Sequence, residues 1–208
     1  MFSINYDLRH EERKRVFNID GLRQLAAESV NRSPDDIVSL KKLAEGELNR
    51  ILLITMRDGL KMVARIPYPG ILPKFFAVAS EVATMAFLRS SGLPIPEVYG
   101  YSPTPANTVE TEYIFMGFVE GTLLSDIWDV LGEGDIISIM SQLVDLESKM
   151  MSVTFPAGGS LYYASDLERV PGCRGISLGD ERFCVGPDTR LPLWGGLRSL
   201  SAFLLLFP

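Results

Sequence analysis

The feature that most constrains the fold is Asp58-Gly59, which lies between two runs rich in strand-forming residues. The first run covers residues 48–56 and the second covers residues 61–66. Asp-Gly between two such runs is a strong short-range signal for a hairpin. The sequence therefore predicts an antiparallel pair of strands at this point in the chain.

Further elements are predicted on both sides of the hairpin. Apolar residues recur at helical spacing over residues 18–30 and 76–89, and they predict one helix before the hairpin and one after it. Other strands are predicted at residues 37–43, 97–101 and 112–118, and further helices at residues 123–131 and 135–151. After Phe155 the periodicity is weak and no long element is predicted. This order indicates an α+β protein whose antiparallel sheet carries one inserted helix and is followed by helices.

Composition excludes some classes of function. The 208 residues are 47% hydrophobic and 22% charged, which is ordinary for a globular protein. A formal net charge of -6 argues against a nucleic-acid partner, because phosphate-backbone binding needs clustered Lys and Arg. Cys173 and Cys184 lie outside any Cys-x-x-Cys, so zinc binding has no support. We expect no membrane span and no signal peptide.

Three residues have the spacing of a phosphate site. Gly46 lies between the first two strands, Arg65 on the third strand, and Glu81 on the helix that follows. A glycine allows backbone amides to approach phosphate oxygens closely. Arg65 could bind those oxygens with its forked guanidinium, and Glu81 would hold Arg65 through a charge-assisted hydrogen bond. Strand alternation places Val63 on the same face as Arg65, where Val63 could cover an adenine.

Each of these residues also has an ordinary structural interpretation. Gly46 could be only a turn glycine, Arg65 a solvated strand residue, and Glu81 a surface carboxylate. Their order is more specific than any one of them. Kinases build a phosphate site from elements in this same order: a strand, a turn, a second strand, a hairpin, a strand with a cation, and a helix with a carboxylate.

Several segments resemble fungal members of the aminoglycoside phosphotransferase superfamily, in particular the "altered inheritance of mitochondria" group. They are residues 43–50, 63–67, 80–85, 94–96, 112–116 and 159–163, and the similarity covers about residues 4–190. The resemblance implies a protein-kinase-like fold, ATP and Mg²⁺ as cofactors, phosphoryl transfer, and a mitochondrial location. Without the resemblance, the cytoplasm is the alternative location.

The resemblance also implies roles for individual residues. The turn from Gly46 to Asn49 matches the phosphate loop, and Met116 to Val119 matches the hinge whose backbone meets the adenine. Relatives commonly carry Glu at the position of Gly117, which is a departure within that hinge. The candidate nucleotide-binding residues are therefore Gly46, Asn49, Val63, Arg65, Glu81, Met116 and Val119.

The catalytic part of the family pattern is missing. Kinase-like phosphotransferases use an H-x-D loop followed by Asn, and then a second Asp for magnesium. The single histidine, His10, precedes the predicted sheet, and Asp180, Glu181 and Asp188 lack a neighbouring His and Asn. We therefore expect no catalytic residue in this chain, weak or no Mg²⁺ binding, and an incomplete helical lobe.

The predicted organisation has four parts. Residues 1–36 form a helical extension, 37–121 the sheet lobe, 122–190 a partial helical lobe, and 191–208 an apolar tail with Arg198 as its one charge. The tail fits either a buried terminal element or a truncated or misread terminus. Three hypotheses remain open: a phosphotransferase by descent, a non-catalytic module that binds nucleotide or protein, and an incomplete gene product.

Overall fold

The computed structural model describes residues 16–46, 48–68 and 73–190. The helices are α1 (Ile19–Ser29), α2 (Lys74–Ser90), α3 (Leu124–Ile127), α4 (Glu133–Met151) and α5 (Ala164–Leu167), with 3-10 turns at Pro34–Asp36 and Trp128–Val130. The strands are β1 (Ile37–Glu45), β2 (Asn49–Met56), β3 (Lys61–Pro67), β4 (Val98–Ser102), β5 (Tyr113–Gly117), β6 (Ser160–Tyr163), β7 (Ile176–Ser177) and β8 (Phe183–Gly186).

The first five strands form one antiparallel sheet in the order β1-β2-β3-β5-β4. The hairpin predicted at Asp58-Gly59 is confirmed and joins β2 to β3. Gly59 has φ +90°, a conformation that glycine adopts without a steric penalty. The Asp58 side chain accepts a hydrogen bond from the amide of Leu60 at 3.1 Å, which further defines the turn. The α+β class is therefore confirmed for the described residues.

Helix α1 covers one face of this sheet. Asn18 caps the helix by accepting a hydrogen bond from the amide of Gly21 at 3.0 Å. Leu22 and Ala26 are fully buried in a cluster that includes Phe115 from the sheet. The helix predicted before the hairpin is thus part of the core.

Helix α2 covers the opposite face and lies between two sheets. Val78 and Val82 pack on Ile114 of the large sheet. On its other side, Phe76 packs in a cluster with Tyr162 of β6. Strand β6 belongs to a three-stranded sheet in the order β6-β8-β7. The layers are therefore α1, the large sheet, α2 and the small sheet.

The small sheet differs from what the sequence predicts. Residues 122–190 are predicted as part of a helical lobe, but residues 160–186 supply three strands and only one short helix, α5. Their lengths of two to four residues explain the difference, because alternation cannot be recognised over so short a run. The helix predicted at residues 123–131 is only α3 and a 3-10 turn.

Helix α4 matches its predicted position, but many of its apolar side chains are exposed. Ile137 and Val144 are about three-fifths exposed, and no residue of this helix is buried by other described parts of the chain. None of the described helices combines the length and apolar composition needed to cross a bilayer. The predicted apolar tail and residues 1–15 of the predicted N-terminal extension lie outside the described residues.

The docking of α1 depends on a close backbone approach at Gly21. A Cβ on this residue would lie 2.1 Å from the carbonyl oxygen of Thr108 and 2.7 Å from its carbonyl carbon. We therefore expect Gly21→Ala to lower the free energy of unfolding by about 1–3 kcal/mol, since α1 must shift to relieve the overlap. The measurement is urea denaturation followed by circular dichroism.

Gly134→Ala provides the matched control. Gly134 lies in α4 and has no atom within 4 Å of an added Cβ. Alanine is therefore expected to stabilise this exposed helix by up to about 1 kcal/mol. If Gly21→Ala were as stable as the unsubstituted protein, the close packing of α1 against the chain at Thr108 would be contradicted.

Candidate functional site

An open cleft of about 410 Å³ lies on the face of the large sheet that α2 partly covers. Its lining residues come from the turn before β2 and from β2, β3 and β5: Gly46, Leu48, Asn49, Ile51, Val63, Arg65 and Met116. The strand register explains why they meet. Ile51 is paired with Arg65, and Val63 is paired with Met116, so each pair projects from the same face.

Arg65 and Glu81 form an ion pair at the border between the cleft and α2. The Nη1 group of Arg65 donates a hydrogen bond to Oε1 of Glu81. Both side chains are about 30% exposed, at 31% and 29%. Burial lowers the pKa of the Arg65 guanidinium, but an arginine remains charged in proteins. The pair therefore places a fixed positive group at the cleft.

Asn49 holds the same guanidinium from the side of the glycine turn. The orientation of its amide is set by its neighbours. With its oxygen toward Arg65, Asn49 accepts hydrogen bonds from Nη2 at 2.7 Å and from Nε at 3.1 Å. Its amide nitrogen then donates to the carbonyl of Leu48 at 3.3 Å. Sequence reasoning assigned Asn49 to the phosphate loop and missed this contact with Arg65.

The arrangement leaves donors available for a ligand. A guanidinium has five N–H donors. Arg65 uses one on Glu81 and two on Asn49. The two remaining N–H groups have no acceptor among the residues that the structure describes. They can bind an anionic oxygen in the cleft, and the forked geometry suits a phosphate or a carboxylate.

The glycine turn is fixed by its own backbone and by the residue that precedes it. The amide of Gly46 donates to the carbonyl of Asn49 at 2.9 Å. Glu45 accepts hydrogen bonds from Lys42 and from the hydroxyl of Tyr68, each at 3.0 Å, and lies 3.5 Å from Arg50. The hydrogen bond from Lys42, followed by that from Tyr68, lowers the pKa of Glu45. The end of β1 is thus held in place beside the cleft.

The rest of the lining is largely apolar. Leu48, Ile51, Val63 and Met116 present hydrocarbon and thioether surface beside the polar end at Arg65. Leu48 and Ile51 were missed by sequence reasoning, although the alternation from Asn49 places Ile51 on the same face. Val119, a predicted hinge residue, does not line the cleft, and its side chain is 68% exposed. The structure brings the other predicted residues together, with Glu81 reaching the site through Arg65.

The acidic residues near residue 180 lie in local ion pairs. Asp180 binds Arg182 and Asp188 binds Arg190, each at 2.6 Å, and the hydrogen bonds from these arginines lower the pKa values of both carboxyls. Within residues 16–46, 48–68 and 73–190, no group of three or more His, Cys, Asp or Glu is arranged to hold a metal ion. We assign no Mg²⁺ ligand.

The α+β fold and this cleft can be compared with known proteins. No protein-family model and no solved structure matches the chain. It is 41% identical over 164 residues to a subtelomeric hrmA-associated cluster protein of Aspergillus fumigatus, covering 77% of this chain and 31% of that protein. It is 32% identical over 178 residues to the mitochondrial "altered inheritance of mitochondria protein 9" of Clavispora lusitaniae, covering 78% of this chain and 29% of that protein.

These relatives are much longer than the part they share with this chain. The chain spans about three tenths of their length. Another relative with the same mitochondrial name, from Meyerozyma guilliermondii, is 31% identical over 179 residues. The predicted resemblance to the "altered inheritance of mitochondria" proteins is confirmed, and the names of these yeast relatives confirm the mitochondrial location that it implies.

Proposed function

We propose that this chain is a nucleotide-binding module of the kinase-like phosphotransferase type and that it binds ATP in the cleft. The observation that carries the proposal is the Arg65 guanidinium, held by Glu81 and Asn49 beside a glycine turn and an apolar surface. A fixed cation with free donors is suited to phosphate, and the adjacent apolar wall is suited to a purine. The cleft thus offers a cation to the phosphates of a nucleotide and an apolar surface to its base.

The cleft has the dimensions and chemistry of a small-molecule site. Its volume of about 410 Å³ lies within the range of about 300–1,000 Å³ typical of ligand pockets. Val63, Ile51 and Met116 would contact the base, while Arg65 would hold the phosphates beside Gly46, whose own amide is bonded to the Asn49 carbonyl. Phosphoryl transfer, which the resemblance implies, is proposed only for a kinase-like protein that carries the H-x-D loop, and no catalytic residue is assigned to this chain.

A second candidate function is a non-catalytic protein-binding module. The observation that favours it is the exposed apolar surface of α4, which includes Ile137 and Met140. Exposed apolar patches of this kind often mark interaction surfaces. Phosphoryl transfer by the purified chain would exclude a purely non-catalytic role. The absence of nucleotide binding, together with capture of a defined protein through α4, would favour this second function.

The nucleotide proposal is tested by calorimetric titration of the purified chain with ATP, pyrophosphate and adenosine. We expect dissociation constants in the range of roughly millimolar or tighter for ATP, weaker binding for pyrophosphate, and the weakest for adenosine. ATP should also raise the melting temperature, because a ligand that binds only the folded state stabilises it. Absence of both heat and thermal shift with ATP would overturn the proposal.

Gly46→Ala separates ligand binding from folding. An added Cβ would lie 3.7 Å from the carbonyl oxygen of Asn49, an ordinary contact, and no other atom outside the adjacent residues is nearer than 4 Å. We therefore expect a melting temperature close to that of the unsubstituted protein. The methyl group would enter the space beside Gly46 at the edge of the cleft, where the phosphates are proposed to lie, and ATP affinity should fall by roughly tenfold.

The control for Gly46→Ala is Gly121→Ala. Gly121 lies outside the residues that line the cleft, and an added Cβ there meets no atom within 4 Å. It should change neither the melting temperature nor the dissociation constant for ATP by much. Unchanged ATP affinity in Gly46→Ala would show that phosphates do not approach this turn.

A further inference from the structure

We infer that Asn49 is a positioning residue, which orients the Arg65 guanidinium toward an anion without neutralising it and links it to the glycine turn. This inference rests on the proposed nucleotide site and assigns a specific role within it. Asn49 is the first residue of β2, and its side chain lies on the face of the sheet that contains Ile51 and Arg65. From this position it reaches both the turn and the cation.

The side chain of Asn49 fixes the orientation of Arg65. Nη2 and Nε of Arg65 lie on one edge of the guanidinium, and both donate to the Asn49 amide oxygen. Nη1, on another edge, donates to Glu81. Contacts on two edges prevent rotation of the planar group, so that the two remaining N–H donors keep fixed directions. Pre-orientation of this kind reduces the entropy lost when an anion binds.

The backbone of Asn49 connects Arg65 to the glycine turn. Its carbonyl accepts the hydrogen bond from the amide of Gly46 at 2.9 Å. Its side-chain nitrogen donates to the carbonyl of Leu48, at the centre of the same turn. One residue therefore ties the turn and the cation together. A ligand that orders either one is expected to order the other.

The neutral amide at position 49 also has an electrostatic consequence. Arg65 has one carboxylate partner, Glu81, and of these two residues only Arg65 lines the cleft, so the positive end of the pair faces the ligand. The Asn49 oxygen adds two hydrogen bonds without a second negative charge. An aspartate at this position would keep the acceptor geometry but place two carboxylates around one guanidinium. The field at the cleft would then repel a phosphate instead of attracting it.

Asn49→Asp therefore separates the positioning role from a structural one. The substitution strengthens the contact with Arg65 but removes the hydrogen bond to the Leu48 carbonyl, so the two effects oppose each other and the melting temperature should change little. The affinity for ATP and for pyrophosphate should fall by at least about tenfold, because a negative charge now faces the anion. Adenosine has no phosphate, and its affinity should not change. A purely structural role predicts that stability and ligand affinity change together.

Two further variants complete the comparison. Asn49→Ala removes the acceptor without adding charge, and its loss of ATP affinity should be smaller than that of Asn49→Asp. Asn31→Asp adds the same charge at an exposed residue with φ 56°, a conformation that Asp tolerates, and it lies outside the cleft lining. Asn31→Asp should bind ATP as the unsubstituted protein does. If it lost as much affinity as Asn49→Asp, the effect would be one of net charge and the inference would be wrong.

A second measurement tests the contact without any ligand. The Arg65 Nε–H group should give a protected signal in nitrogen-15 NMR spectra, because its proton is held by Asn49. This signal should exchange rapidly with water in Asn49→Ala and remain protected in Asn49→Asp. Rapid exchange in the unsubstituted protein would overturn the positioning role directly.

The outcomes distinguish the inference from the proposed function. If the unsubstituted protein binds neither ATP nor pyrophosphate, both are wrong. If it binds pyrophosphate but not ATP, the nucleotide proposal fails, and the Asn49 variants are compared on pyrophosphate. If it binds ATP and Asn49→Asp binds equally well, the inference fails while the nucleotide proposal stands.

Discussion

Arg65→Ala is expected to lower the affinity for ATP by about a hundredfold while leaving adenosine binding nearly unchanged. Arg65 is the one charged side chain among the described residues that line the cleft. Loss of a partly buried cation that meets a phosphate is expected to weaken binding by a factor of about this size. The change also leaves the carboxylate of Glu81 without its cation, and a negative charge at the border of the cleft would further disfavour an anion.

The measurement is calorimetric titration of Arg65→Ala and Arg65→Lys with ATP and with adenosine. Lysine preserves the charge, but its ammonium group cannot reproduce the planar contacts with Glu81 and Asn49. We therefore expect Arg65→Lys to show an intermediate loss. Arg57→Ala is the matched control, because Arg57 is 71% exposed and lies 3.9 Å from Asp36, outside the cleft lining.

Each result has a clear interpretation. Retention of full ATP affinity by Arg65→Ala would place any phosphate-binding group elsewhere and remove the basis of the proposed function. A parallel loss for ATP and adenosine would indicate that the substitution disturbs the whole cleft. Only a selective loss for the charged ligand agrees with a guanidinium that binds phosphate.

Much of the large sheet could be predicted because its signals are local. Asp58-Gly59 specifies the hairpin through turn chemistry, and the strands on either side alternate in burial as two-residue periodicity requires. The position of α1 could not be predicted in the same way. Its docking depends on Gly21 meeting the backbone of Thr108, a contact between residues far apart in the sequence.

The candidate site, like the fold, was predictable from the sequence only in part. The order of a strand with a cation and a helix with a carboxylate suggested the pairing of Arg65 with Glu81, but the face that the helix covers is decided by packing, through Val78 and Val82 on Ile114. The contact from Asn49 to Arg65 depends on the register between β2 and β3, which the hairpin signal fixes only once the loop length is known, and on the side-chain conformation of Asn49. Val119 was assigned to the hinge through its backbone, and the exposure of its side chain does not test that assignment.

The second large effect on stability is expected where the small sheet packs on α2, the helix that carries Glu81. Tyr162 of β6 is fully buried and meets the ring of Phe76 edge to face, with 5.9 Å between centroids. Its hydroxyl donates to the carbonyl of Pro187 at 2.6 Å. Burial raises the pKa of this hydroxyl, so it remains a donor at neutral pH. The aromatic ring and the hydrogen bond together join the small sheet to α2 and to the chain after β8.

Tyr162→Ala is therefore expected to lower the free energy of unfolding by about 3–5 kcal/mol, since it removes a fully buried aromatic ring. Tyr162→Phe keeps the ring and loses only the hydrogen bond, so its loss should be about 1 kcal/mol. Urea denaturation measured by near- and far-ultraviolet circular dichroism distinguishes the two. Equal midpoints for Tyr162→Ala and the unsubstituted protein would contradict the packing of the small sheet on α2. A loss confined to the near-ultraviolet signal would mean that the small sheet unfolds while the large sheet, with its cleft, remains folded.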